Sequence, residues 1–204
     1  MLPTPSRRRA TLALALCTLL TACATGQRPT LSDPQPVEDG AAASVLERLD
    51  RAPLGDFTAV YEITPSSGTT PTIATVSQRG DELRAEIGNI VYTTDGAATS
   101  TCDVTGGPCE DFANEARISN LGITHQFWRA AFRQRLATDA GRRIGTSTGT
   151  VDSIAGQSAA CVAIKVPSAL EAVGTVSYCA LDQGLLGRYI GADGTIELTS
   201  FTLA

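Results

Sequence analysis

Residues 145–149, Gly145-Thr146-Ser147-Thr148-Gly149, match G-x-S-x-G, the pattern that sets a nucleophilic serine on a tight strand-to-helix turn. Ser147 would need a general base, and the chain has one histidine, His125, which lies before the serine, whereas that fold places its histidine after it. The next residues in the chain, "TVDSIAG", read as a strand and open no helix. Ser147 is therefore not expected to be a catalytic serine. His125, beside Thr124 at the head of a helical pattern, is expected to cap or pack. No catalytic residue is assigned, and the chain is read as a non-enzyme.

The carboxylates Glu62, Asp81, Glu82 and Glu86 alternate with apolar residues or occupy turns, as a solvated strand face does. They locate no paired acid and base. Arg79-Gly80-Asp81 matches an integrin-binding tripeptide, but with Glu82 it reads better as a hairpin turn. Arg129, Arg133, Arg135, Arg142 and Arg143 form the one basic concentration. They could pair with a lipid phosphate or simply line a solvated helix face.

Six cysteines are present. No CxxC occurs and histidine is single, so no metal site and no cofactor are expected. Cys102, Cys109, Cys161 and Cys179 are an even set within the folded part and point to two disulfides in an oxidising compartment. Three pairings are open. The local one joins Cys102 to Cys109 and Cys161 to Cys179, and by chain entropy contributes about 2.5 and about 3 kcal/mol.

Cys23 stands apart from that set. Arg7, Arg8 and Arg9 precede an uncharged run, Ala10 to Ala22, that is too short to span a bilayer, which takes about 20 apolar residues. A basic start, a short apolar stretch and small residues before a cut describe an export signal over residues 1–22. Leu20-Thr21-Ala22-Cys23 further resembles the bacterial lipobox, in which the cysteine receives lipid and becomes the new N-terminus. Cys23 is thus the expected lipid attachment point, and a membrane the expected partner. Residues 23–43, rich in Thr, Pro, Asp and Gly, read as an extended tether. The full chain carries a net charge of −5, and loss of three arginines with the signal makes it more acidic still. Nucleic acid is excluded as a partner on that ground.

The remaining residues, 44–204, are about 160 in number and suit one domain. A short amphipathic helix is expected over 42–52, with Val45, Leu46 and Leu49 on one face and Pro53 as its stop. "DFTAVYEIT" then alternates Phe57, Ala59, Tyr61 and Ile63 against Thr58, Val60, Glu62 and Thr64, the signature of a half-buried strand. Further strand-like runs come next, broken at Gly88-Asn89 and Asp95-Gly96. After Cys109 the period changes: "EDFANEARISNL" and "THQFWRAAFRQRLATDAG" predict one or two helices carrying Phe127, Trp128, Phe132 and Leu136. From Thr148 strands resume, with turns at Gly156-Gln157, Gln183-Gly184 and Asp193-Gly194. The fold class expected is α+β, a long antiparallel sheet that can curl into a curved sheet, with one to three helices to cover it.

The closing pattern "VDSIAGQSAACVAIKV … GTVSYCALDQGLLGRYIG … IELTSF", set behind a lipobox, tether, short helix, meander and helical crossing, resembles envelope lipoproteins of the LolA-like superfamily, LppX/LprG type. The resemblance implies a half-barrel whose helices pack into its concave face, and a binding protein for lipid or acyl chains, without chemistry. The candidate apolar lining is Phe57, Tyr61, Ile63, Ile90, Tyr92, Phe127, Trp128 and Phe132. The alternative is a surface-tethered interaction or structural lipoprotein in which those residues fill a core, and whose partner is another envelope protein. In either case the expected location is exported, anchored by lipid to the outer face of the cell membrane or to another envelope membrane.

Overall fold

The computed structural model describes residues 39–53, 55–68, 70–168 and 173–204 of the chain. They belong to one compact unit that spans Val37–Ala204. The export signal, Cys23 and most of the tether lie outside the described residues.

Ten strands form one antiparallel sheet. β1 (Phe57–Pro65), β2 (Thr72–Arg79), β3 (Glu82–Ile87), β4 (Ile90–Asp95) and β5 (Ala98–Asp103) make the first meander, and β6 (Thr148–Ile154), β7 (Gln157–Pro167), β8 (Val173–Leu181), β9 (Leu186–Gly191) and β10 (Gly194–Leu203) the second. Their spatial order is β5-β4-β3-β2-β1-β10-β9-β8-β7-β6. The first and last strands thus meet at the centre, from Phe57 opposite Leu203 to Pro65 opposite Gly194. The edges β5 and β6 do not pair, so the sheet curves without closing into a barrel.

Curvature has local causes. The β1–β10 register shifts between Val60 and Tyr61, and the β8–β9 register shifts between Cys179 and Ala180. Each bulge inserts a residue and bends its strand. Gly187 falls at the second, where a Cβ would come 3.1 Å from both Ile154 Cδ1 and Leu181 Cδ2.

Among the described residues three helices cover the concave face. α1 (Gly40–Asp50) begins two residues earlier than its apolar spacing predicts, because Asp39 caps it: its Oδ1 accepts from the amides of Ala41 and Ala42, both at 3.1 Å. Residues 39–43 therefore belong to the helix and its cap rather than to a tether. A 3₁₀ helix (Glu115–Leu121) and α2 (Ala130–Gly141) lie in the crossover from β5 to β6. The core comprises the apolar faces of all three, with Leu46, Leu49, Ile118, Phe132 and Leu136 each under a tenth exposed. This is the α+β curved sheet with concave-face helices that the sequence predicts.

Both local disulfides form, Cys102 to Cys109 and Cys161 to Cys179. The second joins residues directly opposite on β7 and β8. The first staples the loop after β5 back over that edge, where Thr101 and Glu110 exchange backbone hydrogen bonds of 2.9 and 2.8 Å. Two disulfides fit an exported protein. Among the described residues no helix is long and apolar enough to cross a membrane.

Candidate functional site

Strand alternation sends Phe57, Ala59, Tyr61 and Ile63 of β1 to the concave side, and each is at most 1% exposed. Ile90 and Tyr92 reach the same core from β4, at 4% and 1%. From the other side come Phe127, Trp128 and Phe132. The first two lie in turns ahead of α2 rather than inside it, since the Trp128 carbonyl accepts from the Leu186 amide at 2.7 Å and so is spent on the sheet.

The aromatic residues among them, apart from Tyr92, meet in separate ring contacts. Tyr61 and Phe127 touch edge to face with centroids 5.0 Å apart, and Phe57 lies 5.9 Å from Trp128. Phe132 packs instead on Tyr189 at 4.7 Å and on Tyr178 at 6.3 Å. Tyr178 and Tyr189 are opposite one another in the β8–β9 register and belong to the same wall. The sequence reading missed both. Alternation marks their strands but does not say which neighbour each strand takes.

A partly open hollow beside Phe132, Tyr189, Leu121, Ile123 and Ile196, at the Pro65–Gly194 end of the sheet, measures about 10 Å³, room for about one water. Larger open clefts lie between α2 and β7–β8, about 250 Å³ near Arg142 and Val166, between α1 and β6–β7, about 420 Å³ near Ser44 and Thr150, and along α2, about 420 Å³ near Gln134 and Thr138.

Polar atoms inside the wall are unequally served. Tyr92 Oη donates to the Asn114 carbonyl at 2.8 Å, and burial pushes its phenol up to about 12. Tyr178 Oη donates to the buried Asp139, and Tyr189 Oη to Asp193 at 2.5 Å. Burial, first of all, raises the phenols of Tyr178 and Tyr189, and these carboxylate partners add to it. Tyr61 Oη and Trp128 Nε1 are buried with no hydrogen-bond partner among the described residues. Burial alone holds the Tyr61 phenol far above its ordinary value.

The crossover that covers the wall is held by polar contacts of its own. His125 stacks on Tyr92 at 5.1 Å, its Nδ1 meets a Glu115 carboxylate oxygen, and its amide donates to the same carboxylate at 3.1 Å. His125 is thus a packing residue, as its position predicts. The arginines of α2 do not form a free basic face. Arg129 donates to the carbonyls of Leu49 and Asp50, Arg133 forks onto the Asp50 carboxylate, and Arg135 onto Asp193. Arg142 pairs with Asp139 within the end of α2 and Arg143 with Asp39, so four of the five fasten the α2 segment to its surroundings.

Ser147 is no elbow: β6 comes directly after it, and its hydroxyl donates to Asp39. His125 sits over β4 and Ser147 at the start of β6, near opposite ends of the strand order. Arg79 ends β2 and Glu82 opens β3, so Arg79-Gly80-Asp81 is at a hairpin turn. Glu86 pairs with Arg84 at 2.9 Å. Among the described residues no three of His, Cys, Asp and Glu are grouped to hold a metal ion.

No family model and no curated protein matches the chain.

Proposed function

We propose that this is an exported lipoprotein of the LolA-like kind, held at a membrane by acyl chains on Cys23, whose curved sheet takes a lipid or another apolar ligand between the β1 wall and the crossover. The observation that carries this reading is the pair of orphaned atoms, Tyr61 Oη and Trp128 Nε1. Buried polar atoms are almost always partnered, and leaving one bare costs about 1–3 kcal/mol. Phenylalanine would fill a permanent core at Tyr61 without that penalty. A ligand that brings an acceptor, such as an ester or amide carbonyl, gives both atoms a use.

Phe127 and Trp128 are buried against Tyr61 and Phe57, so a ligand that reaches the Tyr61 hydroxyl would displace them. Residues 122–129 form turns rather than a regular helix, bonded at the Phe127 and Arg129 amides and at the Trp128 carbonyl.

The close packing of these buried rings favours a second reading: a tethered interaction lipoprotein with a filled core, which meets another envelope protein through its outside. Native mass spectrometry of protein extracted from membranes without detergent separates the two. Bound lipid that is lost in Trp128→Ala supports the carrier. Protein that is free of lipid from every extraction, and that takes up none from vesicles, leaves the filled-core reading standing.

A further inference from the structure

The two edges of the sheet are finished differently. β5 is covered by its own stapled loop through the Thr101–Glu110 bridge. β6 pairs with β7 on one side and, among the described residues, with nothing on the other. An edge strand left like this offers a row of backbone donors and acceptors, and natural proteins guard such edges with bulges, prolines or inward charges. β6 has none of these. Its register against β7 runs unbroken from Thr148 to Ile154, its sequence "TGTVDSI" holds no proline or lysine, and six of its seven residues are exposed. Val151, at the middle of the strand, is 77% exposed on the side that α1 shares.

We propose that β6 is a self-association edge, and that a second copy of this chain pairs with it, antiparallel, across a two-fold axis at Val151. The occupant follows from the strand's own complementarity. An axis through Val151 sets the two Val151 side chains opposite each other, a favourable β-branched pair. It also sets Thr150 opposite Asp152 of the second copy, and Gly149 opposite Ser153. Asp152, the strand's one charge, then faces a hydroxyl, and each Asp152 keeps its ion pair with Arg188 of its own chain. Moving the axis one residue on would place the two Asp152 carboxylates face to face. Beside the strand, Ala41, Ser44, Gly149 and Ala160, with Arg48, Thr150 and Cys161, line an open groove of about 420 Å³. The small residues among them leave room for the second Val151. The two-fold keeps both concave faces on the same side and joins the two sheets into one of twice the strands.

Sedimentation velocity of the mature protein in mild detergent, from about 1 to about 100 µM, reads the association. A monomer–dimer equilibrium is expected, weakened about tenfold or more by Val151→Glu, which sets two like charges together on the axis. Val151→Cys reads the register: the two thiols of a dimer are expected to cross-link under mild oxidation, whereas Val104→Cys, exposed elsewhere, is not. Circular dichroism confirms that the variants fold. A monomer at every concentration, a dimer that Val151→Glu leaves intact, or no faster cross-linking at 151 than at 104 would each overturn the proposal, including in favour of a different envelope protein at this edge.

Discussion

The Ser147 hydroxyl donates to the Asp39 carboxylate, and so joins the residue before β6 to the residue that caps α1 across 108 positions of chain. Asp39 Oδ2 takes the Ser147 amide at 3.2 Å and lies 3.4 Å from Arg143 Nε, while Oδ1 serves the Ala41 and Ala42 amides. One carboxylate thus starts the helix and fixes it to the sheet's outer end. Asp39→Ala is expected to cost about 2 kcal/mol, since it removes a cap and a charge-assisted hydrogen bond together, and Ser147→Ala about 1 kcal/mol. Urea unfolding of both variants checks this. Equal stability of Asp39→Ala and the parent would show that the cap is not formed.

Acid should unfold the protein through a few aspartates. Hydrogen bonding from Ser147 lowers Asp39, and hydrogen bonding from Arg48 lowers Asp182. At Asp193 burial pulls the other way, but the Arg135 fork and the Tyr189 hydroxyl outweigh it, so this carboxyl too sits low. Each group's folded value lies below its unfolded one, near 3.9 by the usual reference for aspartate. The stability they contribute is present above about pH 4 and is lost as pH falls through the folded values. Thermal melts at pH 7 and at about pH 2.5 should show a large drop at the lower pH. Asp193→Asn should start lower at pH 7 and lose less on acidification. An acid slope identical to the parent's would remove Asp193 from the account.

The strands were legible because a half-buried strand writes its burial into the sequence every second residue: Phe57, Ala59, Tyr61 and Ile63 alternate in the chain and are at most 1% exposed in the fold. The hairpins were legible for a related reason, since turns such as Gly88-Asn89 depend on local backbone preference. Features that depend on distant partners were not. Asp39 looks like one more acid in a solvated tether until Ser147 is brought to it. Phe127 and Trp128 fall at helical spacing from Phe132, yet the Leu186 amide draws the Trp128 carbonyl out of any helix. Among the candidate lining residues, chain order could not show that Tyr92 would be satisfied and Tyr61 left bare. That difference turns on a single carbonyl, Asn114, in a crossover without strong periodicity.

Tyr61 and Tyr92 therefore make a matched test. Tyr92→Phe removes a donor from the Asn114 carbonyl and is expected to cost about 1 kcal/mol. Tyr61→Phe removes a buried hydroxyl that has no partner, so it is expected to leave stability unchanged or raise it by about 1 kcal/mol. Chemical denaturation of the lipid-free protein gives both numbers. If Tyr61→Phe were the more destabilising of the two, its hydroxyl would have a partner, and the strongest support for an interior ligand would be gone.

Gly184 marks the place where α1 rests on the β8–β9 turn. Its φ is +84°, and a Cβ there would stand 2.3 Å from the Arg51 carbonyl oxygen and 3.4 Å from that of Arg48. Arg48 also pairs with Asp182 in the same turn at 2.7 Å, so the end of the helix is held from two sides. Gly184→Ala combines a left-handed backbone with an overlap against main chain, which has no rotamer to yield. The expected cost is about 2–4 kcal/mol. Gly80 at φ +57° shares the backbone strain, but nothing lies within 4 Å of its Cβ position, so Gly80→Ala should cost only about 1–2 kcal/mol. The difference between the two substitutions in urea midpoint measures the contact itself, and equal losses would mean that α1 does not sit against this turn.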